Sequence, residues 1–337
     1  MNIITIDTGT TNTRVYLWRD DLCLDHEKRS VGVRNTSIDG NNNKIISAIG
    51  SAYSELIDRN NLHDSDVDLI LASGMITSNL GLVDLPHLVA PVGLDEFSKS
   101  ITSKRFDLIS RSNPIYFIPG VKNIDFFDSV NLHRNDFMRG EEVEVIGMIP
   151  QISVDNQTII ALPGSHSKYV EIDRKGRIVS CFTTMAGEIL EVVTTNTILS
   201  SSLEKSFCSD LRKESLLKGF RMSMEFGVSR SLFAVRALDI QAGEAIEELT
   251  SFSLGVVIAS DVQALLGKYE QRDSESFSIV VAGHGVFSDA LYLCLKDTFK
   301  NASISRHVYE EDKPLSGTGA IAVAKKSGLI SGLVQGK

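Results

Sequence analysis

Residues 3–27, IITIDTGTTNTRVYLWRDDLCLDHE, decide the fold when they are set beside residues 158–182, TIIALPGSHSKYVEIDRKGRIVSCF. In the first stretch an apolar run, Ile3, Ile4 and Ile6, enters a polar turn that holds Asp7, Gly9, Thr10, Thr11 and Asn12. Apolar residues then return with period two at Val15 and Leu17. This pattern predicts strands over 3–8 and 13–19 joined by a glycine turn, with a third strand over 22–30. The second stretch repeats strand, glycine turn, strand, tight turn, strand. With a one-residue gap, Gly164 falls opposite Gly9, Ser165 opposite Thr10, and DRKG opposite RDD. The chain therefore reads as two halves built on one plan.

Working outward, Ile45, Ile46, Ile49, Ala52, Tyr53, Leu56 and Ile57 form a helical stripe over 42–59. VDLILASGM (67–75) and IYFIPG (115–120) read as buried strands ending in glycine turns, and 141–149 as a short helix opened by two glutamates. Residues 187–199, 209–226 and 243–267 read as helices, FSIVVAGHGVFS (277–288) as strand, glycine turn and helix, and LSGTGAIAVAKK (315–326) as a glycine turn opening a final helix. No low-complexity linker separates the halves. The boundary is expected near 150–157, giving a first domain over 1–155 and a second over 156–337, with the last helix a candidate to return to the first.

The 337 residues suffice for two domains, and 42% apolar with 23% charged residues is ordinary for globular chains. No apolar run approaches the length of a membrane span, and no basic segment followed by an apolar one suggests a signal peptide. The net charge of −9 and the lack of long basic runs make duplex nucleic acid and anionic membranes poor partners. Cys23, Cys181, Cys208 and Cys294 are scattered, with neither metal-ligand pairing nor a disulfide framework, which suits the reducing cytoplasm.

The polar turns carry the chemistry. A turn with Gly9 lets backbone N–H groups approach an anion, Thr10 and Thr11 add hydroxyls, Asn12 completes the turn, and Arg14 adds charge. Asp7, at a strand end, could hold Mg²⁺ directly or through water. The plain alternative is a hairpin made of turn-forming residues. Gly164, Ser165, His166, Ser167 and Lys168 form the second such turn. His166 is by default structural, and Lys168, on a strand, is by default a solvated charge. In NDFMRGEEVEVIG (135–147), Glu141 or Glu142 at a helix start could take the proton of a substrate hydroxyl, and Arg139 could pair with a carboxylate or phosphate. One of the two glutamates is expected only to complement the helix dipole, since adjacent helix residues face different ways. Gly283, His284 and Gly285 suggest a nucleotide loop. Ser288 replaces the third glycine of a dinucleotide fingerprint, and no acidic residue stands near Ser303, so a nicotinamide site is set aside. A G-x-x-x-x-G-K-[ST] loop is absent.

These four glycine turns, IDTGTTNTR, LPGSHSKYV, VVAGHGVFS and SGTGAIAVA, resemble those of the sugar kinase, heat-shock ATPase and actin superfamily. Within it the chain is most similar to the 2-dehydro-3-deoxygalactonokinase family, through ASGMITSNLG (72–81), IPGV (118–121), MRGEE (138–142), LPGSHSKYV (162–170) and TTMAGEI (183–189). The resemblance implies an α/β fold of two ribonuclease H-like, actin-like ATPase domains with an interdomain cleft. It implies ATP-dependent phosphorylation of the 6-hydroxyl of 2-dehydro-3-deoxy-D-galactonate. On this chain it places ATP phosphates at Gly9, Thr10, Thr11, Asn12, Arg14, Gly164, Ser165 and His166, adenosine at Gly283, His284 and Gly285, and Mg²⁺ at Asp7. It places the catalytic carboxylate at Glu141, with Glu142 second. The sugar would meet Met75, Ser78, Asn79 and Gly81, and its carboxylate would meet Arg139 or Lys168. Family members commonly carry Trp at Thr8, an aromatic at Leu82, Tyr at His87 and Thr at Ser165. An aliphatic residue at Leu82 removes a stacking surface from the expected sugar pocket. The expected partner is a small sugar acid, and a homodimer is left open. The alternatives are a kinase for a different small sugar acid and a non-catalytic nucleotide-binding sensor on the same fold.

Overall fold

In the computed structural model, residues 1–154, 156–269, 277–309 and 313–330 are described. Residue 155, inside the expected boundary, lies outside them. The chain divides into two units. Unit 1 comprises Met1–Val154, Ile172–Cys181 and Tyr309–Lys337, and unit 2 comprises Asp155–Glu171 and Phe182–Val308.

Unit 1 opens with an antiparallel meander of β1 (Asn2–Thr8), β2 (Thr13–Arg19) and β3 (Leu22–Arg29). There follow α1 (Val33–Asp39), α2 (Asn43–Arg59), β4 (Leu69–Gly74), β5 (Leu88–Val89), α3 (Leu94–Lys99), β6 (Thr102–Phe106), β7 (Ser110–Phe117), β8 (Val121–Lys122), β9 (Phe137–Met138) and α4 (Glu141–Met148). The main sheet has the order β3-β2-β1-β4-β7-β6, with β1, β4 and β7 parallel. β5, β8 and β9 form a small sheet of their own. β4, between β1 and β7, is buried along its whole length and mostly apolar because it is covered on both faces. By contrast β3 alternates and is charged, as an edge strand should be. One face of α2 puts Ile45, Ile49, Ala52, Tyr53 and Leu56 onto Ile4, Ile6, Val15, Ile70 and Phe117, and this forms the core.

The second sheet is made of β10 (Gln157–Leu162), β11 (Ser167–Ile172), β12 (Ile178–Thr184), β13 (Phe277–Ala282) and β14 (Ser303–His307), in the order β12-β11-β10-β13-β14, and belongs to unit 2 except for Ile172 and Ile178–Cys181, which count with unit 1. A meander is again followed by parallel strands, so the repeat read from 3–27 and 158–182 is a repeat of topology. Its helices are α5 (Ala186–Asn196), α6 (Lys213–Phe226), α7 (Val228–Ala237), α8 (Ile246–Tyr269) and α9 (Val286–Thr298). The pattern over 209–226 predicts α6 but not α7, which starts again directly after Gly227. α8 is long and apolar enough to cross a membrane by length and composition, yet 78% of its most apolar window is buried inside the protein. It is the core helix of unit 2, and Ser251, Ser253 and Asp261, buried along it, break up the apolar run in sequence.

The final helix, α10 (Leu315–Lys326), belongs to unit 1 and packs on α4. The approach is closer than any side chain allows. A Cβ at Gly319 would stand 1.9 Å from the Val143 carbonyl oxygen, and one at Gly147 would stand 2.4 Å from that of Leu315. This contact sets the position of α4, whose first turn carries Glu141 and Glu142. Gly319→Ala is therefore expected to cost about 1–3 kcal/mol through overpacking. In urea unfolding the midpoint should fall with the slope unchanged.

Candidate active site

The first loop is tied down from behind. Gly9 N–H donates to the Asn12 carbonyl (2.8 Å), and the carbonyls of Gly9 and Thr10 accept from Val33 and Arg34 N–H at 3.2 and 2.9 Å. Helix α1 can sit this close only because residue 32 is glycine: a Cβ there would lie 2.5 Å from both carbonyl oxygens. The carbonyls are thus used, while the amides of Thr10 and Thr11 have no protein partner among the described residues and the two side chains are exposed. A tight turn with unused N–H groups and hydroxyls offers donors to an oxyanion.

Three backbone segments converge beside it. Gly74 ends β4 at φ +86°, and Gly140 precedes α4 at φ +119°, a conformation that L side chains rarely adopt. A Cβ on Gly140 would lie 3.2 Å from the Gly74 Cα, and one on Gly74 would lie 2.6 Å from the Thr8 carbonyl oxygen and 3.0 Å from Asp7 Oδ1. This packing gathers Asp7, Glu141 and Glu144 into one electrostatic cluster with Arg14. Asp7 Oδ2 accepts from Arg14 at 3.3 Å. Burial pushes the Asp7 carboxyl up, Arg14 opposes this and Glu141 adds to it. Burial, then Asp7 and Glu141, push Glu144 up to about 8 against Arg14.

The two glutamates part as adjacent helix residues must. Glu142 is fully buried, and both its oxygens accept from the Gly140 N–H at 2.9 and 2.8 Å. Burial, with Glu141 beside it, pushes it up to about 8. Glu141 is only partly buried and accepts from the Arg139 N–H at 3.2 Å through Oε2.

The guanidinium of Arg139 stitches this turn to the expected sugar loop. It donates to the Thr77 carbonyl, to Thr77 Oγ1 (2.7 Å) and to the Leu85 carbonyl (2.9 Å), and faces His87 Nδ1 at 3.2 Å. Since a guanidinium only donates, His87 is neutral with Nδ1 as the acceptor. Burial and Arg139 hold its pKa down at about 4, and its buried Nε2 has no hydrogen-bond partner among the described residues. Met75 and Ser78 form a turn closed by Ser78 Oγ on the Met75 carbonyl (2.7 Å), followed by exposed Asn79 and buried Gly81. Leu82 is 6% exposed and belongs to the core of unit 1, so a side chain at this position packs inward and offers little stacking surface.

In unit 2 the second loop has the same rear support. Ser165's carbonyl accepts from the Glu188 N–H at 3.2 Å, and a Cβ on Gly187 would lie 2.4 Å from the Gly164 carbonyl oxygen. His166 pairs with Glu188 at 3.0 Å. Lys168 departs from expectation. It is 8% exposed because both faces of β11 are covered, and its Nζ donates to Thr183 Oγ1 at 2.7 Å. Gly283, His284 and Gly285 lie between β13 and α9, where Gly283 N–H donates to the His307 carbonyl (3.1 Å) and Ser288 Oγ caps the turn through the carbonyls of Ala282 and His284.

The model of the family described as 2-keto-3-deoxy-galactonokinase matches residues 7–311, which takes in the loops and the glutamate turn. The chain belongs to this family. The galactonokinase family is one of carbohydrate kinases that use ATP. A curated relative, the 2-dehydro-3-deoxygalactonokinase of Escherichia coli strain K12, is 24% identical over 268 residues, covering 78% of this chain and 80% of the relative. A solved Sinorhizobium meliloti protein assigned as a 2-dehydro-3-deoxygalactonokinase superposes with a TM-score of 0.73 at 19% identity, covering 96% of this chain and 98% of the other. The activator of 2-hydroxyisocaproyl-CoA dehydratase from Clostridium difficile, solved with ADPNP, gives 0.51 at 13% identity over 99% and 98%. At such identities the two structures speak for the fold alone, and that fold is the expected actin-like ATPase and sugar kinase class.

Several residues that shape these loops are given no role by the motifs that contain or flank them. Gly32, Gly187, Glu144 and His87 owe their roles to neighbours far away in sequence. The internal alignment contains one signal for the glycines, since Gly32 stands as far beyond Gly9 as Gly187 beyond Gly164. Glu142 yields a test of the electrostatics. Its folded pKa of about 8 lies above its ordinary 4.5, so the folded state holds the extra proton and stability is lost as pH rises across that window. Thermal melts from about pH 5 to 8.5 should show wild-type Tm falling with pH, and Glu142→Gln should flatten the decline.

Proposed function

We propose that the chain transfers the γ-phosphoryl group of ATP to the 6-hydroxyl of 2-dehydro-3-deoxy-D-galactonate, with Glu141 as the general base. One observation carries the choice of base: of the two carboxylates at the start of α4, Glu142 is buried and bound to the Gly140 amide, while Glu141 is partly exposed and held through one oxygen. Glu141 orients the attacking hydroxyl and takes its proton as the bond to phosphorus forms. Glu142 is a positioning residue that fixes the turn from which Glu141 projects.

The Thr10 and Thr11 amides, without a protein partner among the described residues, and the two hydroxyls, that of Thr11 also accepting from Asn12 Nδ2 at 2.9 Å, supply donors to phosphate oxygens, and the second loop, with Ser165 and His166, supplies a like set. His284 and its flanking glycines are the proposed adenosine contacts. Mg²⁺ keeps most of its shell as water and substrate phosphate and needs only one or two carboxylates. Asp7, a carboxylate at the end of β1 with Glu141 and Glu144 near it, is the residue that would hold the ion. When bound, the ion would offset negative charge on the phosphates. Arg139 uses four donors on Thr77, Leu85 and His87, and so acts by holding the expected sugar loop against the glutamate turn. None of the four cysteines, all among the described residues, forms a disulfide, in keeping with a cytoplasmic enzyme.

Glu141→Gln should lower kcat by about 10²–10⁴-fold with the KM for ATP little changed, because the carboxylate acts on the hydroxyl in the transition state. Steady-state kinetics with 2-dehydro-3-deoxygalactonate checks this. Full activity in the variant would remove Glu141 from the chemistry.

A further inference from the structure

The cations expected to meet substrate are largely occupied by the protein. Arg14 holds Asp7, Arg139 holds Thr77, Leu85 and His87, and Lys168 is buried on Thr183. Arg34 is different. Its backbone N–H is bound to the Thr10 carbonyl, which pins its Cα beside the first loop. Its guanidinium is exposed and has no hydrogen-bond, ion-pair or ring partner among the described residues. It lines a pocket of about 340 Å³ with Thr11, Asn12, Ser30, Asn35 and Ile38.

The wall of this pocket is rich in donors and has one sign of charge. Thr11 and Ser30 bring hydroxyls. Asn35 accepts the Gly32 N–H through Oδ1 (3.1 Å), which leaves its Nδ2 as a donor. No carboxylate lines the pocket, so nothing competes for the guanidinium, whose planar fork matches carboxylate and phosphate bidentately. The volume lies within the range of about 300–1,000 Å³ typical of small-molecule sites. We infer that this pocket binds a small-molecule oxyanion through Arg34, either the carboxylate of the sugar acid or a terminal phosphate of the nucleotide. The inference deepens the proposed reaction and rests on it for the identity of the two ligands.

Titration calorimetry on the full chain, as wild type, Arg34→Met and Arg34→Lys, tests it with three probes: 2-dehydro-3-deoxygalactonate, ADP and inorganic phosphate. Arg34→Met should weaken at least one anionic probe about tenfold or more, the size of one lost charge-assisted pair. Arg34→Lys, which keeps the charge without the fork, should fall between, and all three proteins should melt alike. A loss confined to the sugar acid assigns the pocket to the carboxylate, and a loss confined to ADP and phosphate assigns it to the nucleotide. Affinities within about twofold of wild type for every probe, or a wild type that binds none of them, would overturn the inference. Turnover is measured separately: a wild type that binds but does not phosphorylate the sugar acid refutes the proposed reaction, while the calorimetry still decides the pocket.

Discussion

Three backbone segments, at Thr8, Gly74 and Gly140, meet in unit 1 with no side chain between them. The contact depends on two residues at positive φ that leave no room for a Cβ. It brings the end of β1, the end of β4 and the start of α4 into register, and so sets Asp7, the Met75–Gly81 turn and Glu141 side by side. Because the carboxyl ends of parallel strands are where open α/β sheets bind ligands, a close junction there positions chemistry directly. The α4–α10 contact serves the same end from the other side, since Gly147 and Gly319 let α10 hold α4 in place.

The same economy recurs around both expected phosphate loops. In each unit a glycine at the start of the helix after the meander, Gly32 before α1 and Gly187 in the first turn of α5, lets the helix approach the loop, and first-turn N–H groups, those of Val33 and Arg34 in one case and that of Glu188 in the other, take up loop carbonyls. With its carbonyls bonded rearward, a short turn has its amides left over, and these are the groups an oxyanion needs. Duplicated topology has thus duplicated a local solution, although the two loops share little beyond a glycine and a hydroxyl.

Burial separates residues of the same type into different tasks. Glu142, out of water and bonded to an amide, is held toward its neutral form, while Glu141, one residue away, keeps contact with solvent. In unit 2, Asp261 lies buried on α8 with the Tyr169 hydroxyl on one oxygen at 2.7 Å, and burial lifts it to about 6. Both environments come from helices packed against the sheets, and neither follows from the residues on either side in the chain.

Sequence by itself determined the parts of this protein that are local. Apolar periods, glycine turns and the 3–27 and 158–182 echo point to β1–β4, β7, β10–β13, several of the helices and the family, because strand, turn and amphipathic helix are written within a few consecutive residues, whereas β5, β6, β8, β9 and β14 carry no such signal. Tertiary structure alone decided which of Glu141 and Glu142 is buried. It also decided that Lys168 lies inside a covered strand, that Leu82 packs into the core, and that Arg139 is engaged while the Arg34 side chain has no partner among the described residues. It made Gly32 and Gly187 props for the loops. Each of these outcomes is set by atoms tens of residues away in sequence, and exposure, hydrogen bonding and charge at a side chain depend on those neighbours rather than on the residue type.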